Sequence, residues 1–243
     1  MTASHPPGTQ PSISEFVRGS WLTLTVFVVT AVPSVLQVWF PEVLATLQRT
    51  PAVRDGEAWR LLTSLVVQDG GWIGTISNLL FLLVLGATAE RVLPRGLWLA
   101  CYVAGGVIGQ LFGLAWQPVG GGNSVAICGL AGALGVWLIA GLDVPRWTPV
   151  VVAWWSAALA GTISGMALIV GVAAAVGAQV AVMSSGQAGD RRRTVGRAIG
   201  IAALAFAVLL IALMNIHGPP FVVGAALTLA VFSRVSRPNV NGS

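Results

Sequence analysis

Three polar residues in an otherwise apolar chain have side chains suited to acyl-transfer chemistry: Ser124, His217 and Asn78. A serine hydroxyl becomes a nucleophile when a neighbouring base takes its proton, and histidine is the usual base. The N–H groups of a carboxamide, or of the first turn of a helix, can stabilise the oxyanion that then forms. The sequence GGGNS puts Ser124 behind three glycines, which would clear a path for a substrate.

The composition indicates what kind of protein carries these residues. Of the 243 residues, 56% are hydrophobic and only 9% are charged, and the mean hydropathy is +0.84. A soluble domain carries about 25% charged residues. We therefore expect an all-α, polytopic membrane protein with no separate soluble domain.

The charged and metal-ligating residues limit the partners that this chain can have. The net charge of +5 arises from 13 basic residues, all arginine, and such residues in a membrane protein set its topology. We expect contact with a lipid bilayer and no binding of nucleic acid. The two cysteines, Cys101 and Cys128, lie in apolar runs, and with two histidines they are too few and too scattered for a metal site. We expect no metal and no cofactor.

Hydrophobic runs predict about eight membrane spans. A membrane helix needs about 20 apolar residues. Four runs satisfy this requirement: 21–40, 72–92, 96–116 and 124–142. Two longer runs, 148–183 and 198–233, suit two helices each, because each contains a plausible reversal. The reversals are GTISG at Gly161–Gly165 and NIHGPP at Asn215–Pro220.

The arginines favour eight spans and a cytoplasmic N-terminus. All of them except Arg49, Arg54 and Arg60 then lie on the cytoplasmic side, as the positive-inside rule requires. We expect a multi-pass protein of the bacterial plasma membrane, with a transmembrane domain over 21–233. Residues 1–20 lack the features of a signal peptide and are predicted to form a disordered cytoplasmic tail, and 234–243 a short second tail.

Eight spans also bring the candidate residues to one side of the membrane. Ser124 begins the fourth span and His217 follows the seventh, so both lie at the outer face. Asn78 lies about a turn and a half into the second span, at comparable depth. An ionisable residue at membrane depth indicates function. A seven-span topology would separate Ser124 from His217.

Two further segments carry structural predictions. The long outer loop over 41–71 contains GEAWRLLTSLVVQDGGW, whose mixture of apolar and polar residues suits a segment lying in the membrane interface. In the fourth span the small residues Ala126, Gly129, Gly132 and Gly135 predict close helix packing behind Ser124.

Several short motifs together resemble the rhomboid intramembrane serine proteases. Along the chain they are Trp59-Arg60, GTISN ending at Asn78, Glu90-Arg91, GNSV containing Ser124, and His217 followed by Gly224. The resemblance covers roughly residues 55–140, and 210–230 locally. It implies a rhomboid-like helical bundle in which Ser124 is the nucleophile and His217 its general base. Asn78 and the backbone N–H of Ser124 would form the oxyanion hole, and the substrate would be a membrane protein.

The chain departs from the rhomboid pattern at three points. Gly74 stands where the family has a first oxyanion histidine, and Val125 replaces the glycine after the nucleophile. Three spans rather than one separate the serine and histidine spans. The main alternative is therefore a catalytically inactive rhomboid-like pseudoprotease that binds transmembrane helices. A small-solute transporter is disfavoured, because no charged residue lies mid-membrane and no inverted repeat is present.

Each candidate residue also has a purely structural interpretation. Ser124 could be a helix N-cap, His217 a loop histidine packed by Pro219 and Pro220, and Asn78 an interhelical hydrogen-bonding residue. The placement of the three residues on one side favours the functional interpretation. The sequence leaves the substrate, the activity and the oligomeric state open.

Overall fold

The chain folds as a bundle of α-helices. The computed structural model describes residues 19–186 and 189–235, and within them helices are the only extended regular structure. The helices are α1 Trp21–Trp39, α2 Pro41–Leu47, α3 Arg60–Thr63, α4 Gly71–Val92, α5 Arg95–Trp116, α6 Ser124–Ala140, α7 Thr148–Ala160, α8 Gly165–Ser184, α9 Gly189–Ala212 and α10 Gly218–Val235. A short 3-10 helix covers Pro51–Asp55.

The helices agree with the predicted transmembrane pattern. Five of them, α1, α4, α5, α8 and α9, are long and apolar enough to cross a membrane, and α6, α7 and α10 are shorter apolar helices. Their order follows the eight predicted spans, including reversals near Gly161 and Asn215. The protein is an integral membrane protein. The helix that contains the apolar run predicted from residue 198 begins earlier, at Gly189, and carries the arginine cluster near its start.

Helix α6 lies at the centre of the bundle and is buried along most of its length. It packs against α5, α9 and α10, with α4 and α7 beside it. The predicted role of its small residues is confirmed at Gly129 and Gly132, because a Cβ on either would collide with the backbone of a neighbouring helix. Gly224 of α10 has the same close approach to the Gly129 backbone. Bare backbones therefore set the spacing between α6 and α10.

The extra helices between α6 and α10 do not interrupt this core. Helices α7 and α8 form a hairpin that packs chiefly on itself, while α9 returns to pack against α6 and α10. Only 11% of the apolar window of α8 is buried inside the protein, so this helix presents most of its surface outward. Helix α8 therefore lies at the edge of the bundle, while α7 contributes Val152 and Trp155 to the core. The inserted spans leave α6 and α10 in contact.

The outer loop, for which a place in the membrane interface is predicted, is partly buried against the bundle. Its last part runs inward: Leu65, Val67 and Gln68 are all 5% exposed or less. Leu65 fills the space beside Gly106 of α5, where a Cβ would come within 2.6 Å of it. Trp59 and Trp72, near the two ends of this segment, are well exposed, at 44% and 60%, as interfacial tryptophans would be. The apolar residues of this last part are therefore buried against the bundle, and the position of the loop in the interface stays a prediction.

Candidate active site

Ser124 and His217 meet although 93 positions separate them. Ser124 is the first residue of α6, and His217 immediately precedes α10. His217 Nε2 lies 2.9 Å from Ser124 Oγ, within hydrogen-bond distance. Asn123, not Ser124, is the cap residue of α6, and it makes no side-chain cap bond. The N-cap interpretation of Ser124 is therefore wrong.

The end of α9 positions His217. Met214 adopts a left-handed conformation, with φ of 52°, and the Asn215 backbone N–H donates to the Leu210 carbonyl at 2.8 Å. This is the bonding of a Schellman motif, which ends a helix and turns the chain sharply. Helix α10 then begins at Gly218, with Pro219 and Pro220 in its first turn, where proline is favoured. His217 is thus held in a short turn between two fixed helix ends.

The second ring nitrogen of His217 contacts Asn215. His217 Nδ1 lies 2.7 Å from Asn215 Oδ1, and the same oxygen accepts the backbone N–H of His217 at 3.1 Å. Asn215 Nδ2 donates to Thr162 Oγ1 at 2.8 Å. Sequence reasoning noted this stretch only as a reversal, although an asparagine two residues before the histidine matches the spacing at which asparagine side chains bond the backbone.

Asn78 faces the same site from α4. Its Nδ2 donates to Gln68 Oε1 at 2.7 Å, and Gln68 Nε2 donates to Asn123 Oδ1 at 2.9 Å. Gln68 is 1% exposed, and it is held through its backbone by a pair of hydrogen bonds with Gln37. Sequence reasoning missed Gln68, because the loop that carries it was expected to lie in the interface.

The three glycines before Ser124 have different neighbours. A Cβ on Gly120 would lie 2.7 Å from an Asp69 carboxylate oxygen, and one on Gly121 would lie 2.9 Å from Val67. These two glycines make room for the outer loop, so the prediction that all three clear a path for substrate is wrong for them. A Cβ on Gly122 would lie 3.6 Å from Ser124 Oγ and 3.7 Å from Asn78 Nδ2. Only Gly122 keeps space open between the hydroxyl and the carboxamide.

The structure shows the surroundings of two of the departures from the rhomboid pattern, and it explains one of them. Val125 is 1% exposed and packs toward α5, where Gly109 leaves room for it: a Cβ on Gly109 would come within 2.5 Å of the Val125 Cβ. The valine therefore turns away from the hydroxyl. Gly74 has open space around its Cβ position, so no side chain of another element replaces the histidine at that point.

The surroundings of His217 favour its neutral form. The residue lies in the turn outside the helices and is only partly exposed. Burial disfavours the imidazolium ion and lowers the pKa of His217 to about 4. At neutral pH the ring is then uncharged, as a general base must be.

A family comparison accounts for this arrangement of helices. Residues 55–163 match the family model of the Rhomboid domain. This part of the chain is therefore a Rhomboid domain, which supports assignment to the rhomboid family. The resemblance predicted from short motifs is confirmed, and so is the all-α rhomboid-like bundle. No curated protein and no solved structure has significant similarity to the chain.

The rhomboid match and the site overlap only in part. The matched residues run from the outer loop to the end of the α7–α8 turn and include Asn78 and Ser124. His217 lies beyond them, so its pairing with Ser124 rests on the geometry of the fold. The catalytic roles of Ser124, His217 and Asn78 remain predictions.

Proposed function

We propose that this rhomboid protein is an intramembrane serine protease that cleaves membrane-protein substrates near the outer face through a Ser124–His217 dyad. The observation that carries the proposal is the 2.9 Å contact between His217 Nε2 and Ser124 Oγ. Two residues so far apart in sequence meet at adjoining helix starts, beside a glycine that leaves the hydroxyl accessible. We place the protein in a bacterial plasma membrane with its N-terminus in the cytoplasm, because the arginines then follow the positive-inside rule.

In the proposed reaction Ser124 Oγ attacks the scissile carbonyl carbon while its proton passes to His217 Nε2. A C–O bond forms and the carbonyl π electrons move to its oxygen, giving a tetrahedral oxyanion. The C–N bond then breaks, His217 gives the proton to the leaving amine, and an acyl-enzyme remains. Water then attacks the ester carbonyl carbon while losing a proton to His217. The ester C–O bond breaks, His217 returns the proton to Ser124 Oγ, and the carboxyl product leaves.

Asn78 and the first backbone N–H groups of α6 are the proposed oxyanion donors. Asn78 Nδ2 carries two hydrogens, and the contact with Gln68 at 2.7 Å uses one of them. The other is free to serve the space beside Gly122. Gln68 itself would fix the orientation of the carboxamide. Because Gly74 supplies no second donor, removal of Asn78 should lower the reaction rate about 10²–10³-fold.

Labelling by a serine-reactive fluorophosphonate tests the proposed function. We expect the purified protein in detergent to be labelled, Ser124→Ala to be unlabelled, and Asn78→Ala to be labelled slowly. The matched control is Ser156→Ala, whose hydroxyl donates only to the Val152 carbonyl in its own helix; this variant should react like the wild type. Equal labelling of Ser124→Ala and wild type would refute the dyad.

The alternative function is that of a pseudoprotease that binds transmembrane helices, and the missing donor at Gly74 motivates it. It predicts that the folded wild-type protein resists the fluorophosphonate altogether. Under that outcome co-purification of membrane proteins, unchanged in Ser124→Ala, becomes the appropriate assay.

A further inference from the structure

We propose that Asn215 and Thr162 form an orienting arm for His217, so that the dyad works as a Ser–His–Asn relay anchored in the α7–α8 hairpin. This inference rests on the proposed function for its kinetic consequences, and on geometry alone for the state of the imidazole. Asn215 and Thr162 are positioning residues, since neither would touch the substrate.

Each end of this arm contains a group that can act only as a donor or only as an acceptor, and these two groups determine the direction of every hydrogen bond between them. At one end the His217 backbone N–H, which can only donate, lies 3.1 Å from Asn215 Oδ1 and so identifies that atom as the carboxamide oxygen. His217 Nδ1 lies 2.7 Å from the same oxygen. An oxygen acceptor requires a protonated Nδ1, which leaves the lone pair of the neutral ring on Nε2. That lone pair faces the Ser124 hydroxyl, as a general base requires.

At the other end the Leu159 carbonyl, which can only accept, lies 2.7 Å from Thr162 Oγ1. The Thr162 hydroxyl must donate its single hydrogen there. Its oxygen then accepts Asn215 Nδ2, at 2.8 Å. Both halves of the Asn215 carboxamide are thus occupied, and the side chain, 8% exposed, is held in one orientation.

The arm connects two parts of the fold that are distant in sequence. Thr162 lies in the turn of the α7–α8 hairpin, 53 positions before Asn215. This hairpin contains two of the three spans that separate the serine and histidine helices, and its second helix, α8, lies at the edge of the bundle. The turn of the α7–α8 hairpin therefore contributes to the site, because its Thr162 anchors Asn215, and Asn215 orients the base His217.

Three substitutions separate orientation from packing. Asn215→Ala removes the acceptor for Nδ1; Asn215→Asp keeps an acceptor oxygen but loses the donor to Thr162; Thr162→Val removes only the hydroxyl. We expect Asn215→Ala to lower the maximal rate of fluorophosphonate labelling about 10–100-fold, with the half-saturating probe concentration unchanged within about twofold. Thr162→Val should lose about threefold to tenfold, because the carboxamide stays in place without its anchor.

Asn215→Asp should retain labelling within about tenfold of the wild type, because its carboxylate still accepts from Nδ1. It should also move the acidic limb of the rate profile to higher pH, because a carboxylate favours the imidazolium. The control for Thr162→Val is Thr194→Val, whose hydroxyl donates within α9 to the Asp190 carbonyl; it should leave labelling unchanged. If Asn215→Ala labels at the wild-type maximal rate, or Asn215→Asp is as slow as Asn215→Ala, the relay is refuted.

An NMR measurement tests the arm without any activity. The chain has two histidines, so a His5→Gln background leaves His217 as the only ¹⁵N-histidine signal. We expect the Nδ1–H tautomer in the wild type and its loss in Asn215→Ala. A wild-type protein that shows this tautomer but resists the fluorophosphonate would refute the proposed protease while keeping the orienting arm. A protein that is labelled at Ser124 but keeps the Nδ1–H tautomer in Asn215→Ala would refute the arm while keeping the protease.

Discussion

Gly218→Ala should misplace His217 without changing any polar group of the site. A Cβ on Gly218 would lie 2.7 Å from the backbone nitrogen of Ile211 and 2.8 Å from the carbonyl oxygen of Ala207, both in α9. Ordinary contact begins at 3.4 Å, so the start of α10 must move about 0.7 Å away from α9. His217 is the adjoining residue and must move with it.

A displacement of this size matters because the hydrogen bond between His217 and Ser124 tolerates only a small increase in distance. His217 Nε2 and Ser124 Oγ are 2.9 Å apart, and the hydrogen bond weakens steeply beyond about 3.2 Å or at poor angles. A misplacement of about 1 Å at a reacting group can lower a rate about 10²-fold. We therefore expect Gly218→Ala to lower the rate of fluorophosphonate labelling about 10–100-fold.

The assay compares Gly218→Ala with Gly177→Ala at equal folded protein, measured by size-exclusion chromatography in detergent. Gly177 lies in α8 with nothing within 4 Å of its Cβ position, so alanine there should leave labelling unchanged and stabilise the helix by about 0.5–1 kcal/mol. If the two variants label at the same rate, the position of His217 does not depend on the contact between α9 and Gly218, and the reasoning fails.

Two other measurements test the electrostatics and the stability of the fold. Because burial lowers the pKa of His217 to about 4, the neutral base should persist as the pH falls, and the labelling rate should decline only well below pH 6.5, the ordinary histidine pKa; a midpoint at or above 6.5 would contradict this. Glu90→Gln should lower the free energy of unfolding by about 1–3 kcal/mol, measured by thermal denaturation. The reason is that Glu90 accepts the backbone N–H groups of Leu22 and Thr23 at 3.1 and 2.8 Å at the start of α1. Glu57→Gln is the control, because the Glu57 side chain remains 42% exposed in its ion pair with Arg60, and it should change stability by less than about 0.5 kcal/mol. Equal effects of the two changes would contradict the capping role.

The helical pattern could be predicted from the sequence because it depends on local composition. Apolar runs, and the glycines and prolines near Gly161 and Asn215, gave the helices and their reversals. The meeting of Ser124 with His217 was also within reach, since two reversals and the positive-inside rule put both residues at one face. Counting the spans in this way predicts on which side of the membrane Ser124 and His217 lie. It does not predict how far apart they are, and the structure supplies that distance.

The residues that the sequence did not reveal are those whose role depends on packing. Gln68 lies in a loop whose mixed composition resembles an interfacial segment, and only the tertiary fold shows that it runs inward. Asn215 was visible beside His217, but its second partner, Thr162, belongs to another turn. The glycines Gly120 and Gly121 were assigned to substrate access, although the loop occupies the space that they leave.

Backbone atoms contact each other directly at Gly129, Gly132 and Gly224, and this affects how the distance between Ser124 and His217 responds to changes in the membrane. A spacing set by side chains varies as those side chains change rotamer, whereas a spacing set by backbones has no such freedom. Helices α6 and α10, which begin at or next to the serine and the histidine, therefore pack against each other at a fixed distance. Changes in lipid thickness or in lipid-facing side chains should tilt α6 and α10 together, while the distance across the dyad stays constant.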